Sequence, residues 1–125
     1  MPHVAKLVLL QFNTDPDCTA RRDLLRGLSA TVIEDEPRWP IFFDTVARER
    51  PDAIVIAGGT LPQHAREAAR YLGDGFNTRD IPVFMVDVPK KELDEVRLAA
   101  PRAKIVDRSQ LASALMSTSN PKNPL

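Results

Sequence analysis

Sulfur and imidazole are scarce in this chain. Among 125 residues there is one cysteine, Cys18, and there are two histidines, His3 and His64. A lone thiol rules out an intramolecular disulfide, and this set cannot build a cysteine–histidine zinc or iron–sulfur centre. Nothing in the carboxylate spacing suggests a metal site or a cofactor instead. Excess charge is missing too: Lys+Arg and Asp+Glu are both 17. Without a global basic field to exchange against phosphate counterions, nucleic acid is not an expected partner. Apolar runs are short. "LVLL" and "IVIA" fall far below the roughly 20 residues of a membrane span, so no membrane partner is expected. The opening "MPHVAKLVLLQFNTD" enters a strand-like run with no leader and no small-residue cleavage site, and reads as the mature start of a cytoplasmic protein.

What is present is a repeated alternation. Five apolar runs recur: residues 6–12, 30–35, 52–59, 81–88 and 103–107. The first, third and fourth are nearly continuous rather than alternating, as in strands covered on both faces. Helical patterns separate them. Residues 18–28 follow Asp17 as N-cap and align Leu24, Leu25 and Leu28. Residues 39–50 offer Ile41, Phe42, Val46 and Ala47, with Pro40 in the first turn. Residues 62–72 are alanine-rich and stop at Gly73 as C′. Residues 90–100 place Leu93, Val96 and Ala100 near one face, before Pro101. Residues 108–116 carry Leu111, Leu115 and Met116. The order βαβαβαβαβα predicts an α/β domain over residues 1–116, with a parallel sheet and helices on both faces. The polar, proline-punctuated residues 117–125 read as a flexible tail.

Particular phrases carry a likeness. "NTRDIPVFMVDV", "RERPDAIVIAGGTLP" and "VDRSQLASAL" resemble the fourth-strand, third-strand and last-helix regions of response-regulator receiver (CheY-like) domains. The resemblance covers residues 4 to 116. It implies a flavodoxin-like (βα)5 three-layer sandwich with a five-stranded parallel sheet in the order 2-1-3-4-5.

The chemistry of that family does not transfer. Receivers take a phosphoryl group on an aspartate ending strand three, and the likeness puts Ala57 there. Their metal-holding acidic pair falls on Gln11 and Phe12, and their switch hydroxyl on Asp87. The lysine after strand five falls on Asp107, or on Lys104 if the last helix is the anchor. The resemblance therefore implies a degenerate receiver.

In an open parallel sheet the functional crevice lies beyond the carboxyl ends of the strands. Asn13, Thr14, Asp15, Gly58, Gly59, Thr60 and His64 are the candidate ligand residues there. A small anion at the Gly58–Gly59–Thr60 turn, beside a helix N-terminus, is one reading. Glycines making a turn with φ above zero, with no ligand, is the other. Asp15, Asp17, Asp87 and Asp107 could gather a cation, or could serve as caps and loop residues. Cys18 and His64 lack the neighbours of a nucleophile or general base. Trp39 reads either as a partner anchor or as a cap on the core. The "GGT-LP" turn also resembles that of cobalamin-binding domains, but "NTDPDCTARRDLL" holds no histidine to supply their axial ligand.

Two functions follow as expectations. The first is a non-enzymatic, non-phosphorylatable receiver-like (pseudo-receiver) module that binds a protein partner or a second copy. Its expected docking face is that of the fourth and fifth helices, with Lys90, Lys91, Glu92, Glu95, Arg97 and Arg108. The alternative is a small-ligand or anion-binding domain, enzymatic or not, using Gly58, Gly59 and Thr60.

Overall fold

The computed structural model describes residues 5–117. His3 and all but the first residue of the expected tail lie outside that range. The three continuous apolar runs become β1 (Lys6–Leu10), β3 (Ala53–Ala57) and β4 (Val83–Val86), flanked by β2 (Thr31–Asp35) and β5 (Lys104–Val106). All five are parallel, in the order β2-β1-β3-β4-β5. β3 and β4 are buried along their whole length, whereas the edge strands are only partly covered. Burial on both faces explains why the central runs do not alternate.

Five helices complete the layers. α1 (Cys18–Arg26) and α5 (Arg108–Met116) cover one face of the sheet, and α2 (Ile41–Glu49), α3 (Pro62–Asp74) and α4 (Leu93–Ala99) the other. Side chains alternate across the sheet. Val8, Leu10, Ile54 and Ile56 meet the second group of helices, and Leu7, Leu9, Ala53 and Val55 meet the first. Among the described residues no helix is long and apolar enough to cross a membrane.

Local physics shifts several expected details. α3 runs through Gly73 and is capped by Gly75. The Thr78 hydroxyl donates to the Leu72 carbonyl at 2.7 Å, which satisfies a last-turn acceptor and lets the helix extend beyond Leu72. α2 buries Phe42, Thr45 and Val46 and leaves Ile41 and Ala47 exposed. The Thr45 hydroxyl donates to Asp35 Oδ2 at 2.7 Å, so this polar residue sits inward without an unmet bond. Residues 90–92 form a 3-10 turn, and the α-helix begins only at Leu93. Met116 is 69% exposed, unlike Leu111 and Leu115.

The paired glycines are also corrected. No glycine among the described residues has positive φ; Asp87 (58°) and Leu61 (48°) adopt it instead. Gly58 is required by close approach. A Cβ there would lie 2.9 Å from Val88 Cγ2 and 3.3 Å from Val88 Cα. The bare backbone after β3 therefore rests against the chain leaving β4.

Gly58→Ala should accordingly destabilise the domain by about 1–3 kcal/mol through overpacking. Truncating the neighbour in Gly58→Ala/Val88→Ala should recover part of that loss, giving a coupling that urea denaturation of the cycle measures.

Candidate functional site

The carboxyl edge is built around a residue the sequence reading passed over. Arg21, in the first turn of α1, is 1% exposed. It stands four residues before Leu25, which is buried under the same helix, so helical spacing carries it onto the sheet. Gln11 and Ala57 follow the β1 and β3 residues that alternate onto this face, and β-sheet register sets them side by side beyond the Leu10–Ile56 pair. The guanidinium thus enters above the tips of the central strands.

Each of its three nitrogens has a partner. Nε donates to Asp87 Oδ2 at 2.7 Å and Nη1 to Gln11 Oε1 at 2.8 Å. Nη2 donates to both oxygens of Asp15, at 3.1 and 3.0 Å. Charge-assisted contacts of this kind are the strong class of hydrogen bond. The network continues outward. Gln11 Nε2 donates to Glu34 at 3.2 Å and to the Cys18 carbonyl at 2.9 Å. Arg22 forks onto Glu34. Arg108, at the start of α5, donates to Asp87 Oδ2 at 3.1 and 3.0 Å and pairs with Asp17 at 3.1 Å. No buried side-chain nitrogen or oxygen among the described residues lacks a partner.

Titration follows from these partners. Burial works to raise the Asp15 carboxyl, but the Asp17 N–H, the Arg21 guanidinium and the Thr60 hydroxyl outweigh it and hold it below its ordinary 3.8. The hydrogen bond from Arg22 holds Glu34 below its ordinary 4.5 against its own burial, with help from Gln11. The hydrogen bond to Asp87 raises Arg108.

The structure brings Gln11, Asp15 and Asp87 together and leaves other candidates apart. Phe12 points to the opposite face, under Arg38 at 4.9 Å and edge-on to His64. Asn13, Thr14, Gly59 and His64 are exposed. Thr60 is turned toward Asp15, and Gly58 toward Val88. Asp107 is exposed and closes the capping box of α5 with Gln110. Lys104 begins β5 opposite Phe84, its amine 5.8 Å from that ring, far along the strand from the tip that Asp107 follows. Of the expected docking face, Glu92 is tied to Arg66 and Arg108 is drawn into the crevice. Cys18 is a free thiol, partly buried.

These residues do not fit a divalent cation. Asp15 and Asp87 face each other across Arg21, while Asp17 and Asp87 meet across Arg108. Each carboxylate is already neutralised by a guanidinium, and Ala57 supplies no oxygen. No group of three or more His, Cys, Asp or Glu among the described residues is placed to hold a metal.

The architecture recurs in solved structures. One is the receiver domain of a sensor histidine kinase from Pseudomonas aeruginosa, solved with magnesium coordinated in its active-site cleft. It superposes with a TM-score of 0.71 at 14% identity, covering 93% of this chain and 100% of that one. Another, assigned as a response regulator from Chloroflexus aurantiacus, gives 0.65 at 15% identity, covering 92% of each chain. These likenesses establish the CheY-like, flavodoxin-like fold. No protein-family model and no curated protein matches the sequence.

Arg21→Met should cost about 3–5 kcal/mol, because it leaves the buried Asp15 carboxylate without its guanidinium. The wild-type contribution of Asp15 and Glu34 is full above their ordinary values of 3.8 and 4.5, and is lost as pH falls through their lower folded values. In Arg21→Met the guanidinium no longer helps the Asp17 N–H to oppose burial at Asp15, so the carboxylate contributes less and the deficit shrinks as it protonates. Urea midpoints at neutral pH and near pH 3.5 should show the two proteins converging; a constant gap refutes the coupling.

Proposed function

We propose that this chain is a receiver-like signalling module that accepts no phosphoryl group and acts by docking rather than by catalysis. The observation that carries the reading is the pairing of Ala57 at the tip of β3 with the Arg21 guanidinium seated beside it. Phosphoryl acceptance on this fold requires a nucleophilic oxygen at that tip. It also requires a cation to offset charge developing on the phosphoryl oxygens. A methyl group cannot form the acyl phosphate, and the local carboxylates are spent on arginine. The fold is retained without the means of that chemistry, which leaves its surfaces as the working parts.

The anion-binding alternative draws no support from the turn after β3. Gly58 is packed on Val88, which accounts for a glycine at the turn without a ligand. Arg21 and Arg108, the cations of the crevice, are already paired with Asp15, Asp87 and Asp17, so neither is held in reserve for an incoming anion.

Incubation with acetyl phosphate and Mg²⁺ should leave the intact mass unchanged. Thermal midpoints should not rise with Mg²⁺, inorganic phosphate, flavins or nucleotides at concentrations that would reveal binding. A gain of one acid-stable, base-labile phosphoryl group, or a saturable shift with any of these ligands, overturns the reading.

A further inference from the structure

The opposite end of the sheet carries a different pairing of features. A cleft of about 120 Å³ opens between the end of α3 and the turn joining α4 to β5. Its floor is small and apolar: Ala69, Gly73, Pro82, Ala100, Pro101 and Ala103. Cavities of about 150 Å³ take up a benzene molecule, so this one approaches the size of a phenyl ring. Beside it stands Phe76, 80% exposed, with the Arg79 guanidinium 5.3 Å from its ring centre. The ring is held outward, on the same surface as a hole of nearly its own size.

We propose that two copies of this chain associate about a two-fold axis here, each seating Phe76 in the cleft of the other. In such an interface residue i meets j while j meets i. A knob and a hole on one surface satisfy both contacts at once. The rim suits a second copy better than a strongly charged partner. Arg70 and Arg79 are balanced by Asp74 and Asp80, and among the described residues none of the four makes an ion pair within the chain. Each arginine can therefore meet an aspartate across the axis. The formal net charge of +0 removes long-range repulsion between copies.

The apolar area is also of the required order. The same end of α3 also carries Tyr71, 40% exposed, against Trp39, 60% exposed, their ring centres 5.2 Å apart. Large aromatic side chains carry about 150–250 Å² each. The exposed parts of Phe76, Tyr71 and Trp39 thus sum to roughly 400 Å². A stable interface buries about 800 Å² per partner, a little over half of it apolar. The cleft lining supplies the remainder. Trp39 caps the core, edge-on to Phe42 and tilted against Phe43, and in the proposed dimer its exposed face would serve as the anchor.

The test is sedimentation equilibrium of the full chain over a micromolar-to-millimolar series. A monomer–dimer equilibrium is expected, weakened at least tenfold by Phe76→Asp and by Gly73→Leu. The second change fills the cleft from within, and a Cβ at Gly73 meets no atom within 4 Å, so circular dichroism and thermal midpoint should be retained. A monomer at every concentration, a dimer unmoved by both substitutions, or assembly beyond a dimer overturns the proposal. None of these results touches the phosphoryl reading, which concerns the other end of the sheet.

Discussion

A guanidinium buried to 1% exposure constrains everything around it. Moving such an ion out of water costs several kcal/mol, and only complete, well-aligned partners offset it. Arg21 obtains them from the residue just past β1, from the loop beyond it and from the residue following β4. Those partners are in turn held by others. Asp15 accepts the Asp17 N–H, Gln11 donates to Glu34, and Asp87 accepts from Arg108. The carboxyl edge is thereby one connected polar lattice reaching from β2 to α5. Asp87 accepts a left-handed backbone at φ 58° within it, a conformation aspartate tolerates better than most residues.

Much of this architecture is legible without coordinates. Continuous apolar runs mark β1, β3 and β4 because strands covered on both faces have no solvent side to alternate toward. Phrases around the third strand, fourth strand and last helix point to the receiver fold, and the sheet order agrees. Boundaries were less secure where a tertiary contact decided them. Thr78 reaches back to extend α3 past Gly73, and Asp35 holds Thr45 so that α2 turns Ile41 outward. The two contacts span six and ten residues, beyond the reach of helical periodicity.

The site was legible only in part. Asp15, Gln11 and Asp87 belong to the carboxyl edge by position alone, so they could be gathered from sequence. Arg21 could not be, since an arginine on an amphipathic helix ordinarily faces water. The available signal was its spacing from Leu25 and Leu28, which sets it on the covered side. Likewise the choice between Lys104 and Asp107 needed the β4–β5 register, which places the lysine opposite Phe84. A glycine's reason for being a glycine was equally hidden, because Val88, thirty residues on, occupies the space a methyl would need.

The mutual dependence of Arg21 and its carboxylates also bears on how this sequence can drift. An acid placed at Ala57 while Arg21 remains would meet a resident positive charge and be quenched as an ion pair. Removing Arg21 first would leave the buried Asp15 carboxylate without its guanidinium, while Asp87 would keep only Arg108. Each single step toward a reactive centre is thus unproductive or destabilising, and only their combination opens the route. The arrangement behaves as a ratchet: neighbouring sequences can vary the periphery freely, while the interior charge arrangement is reachable or escapable only by coordinated change.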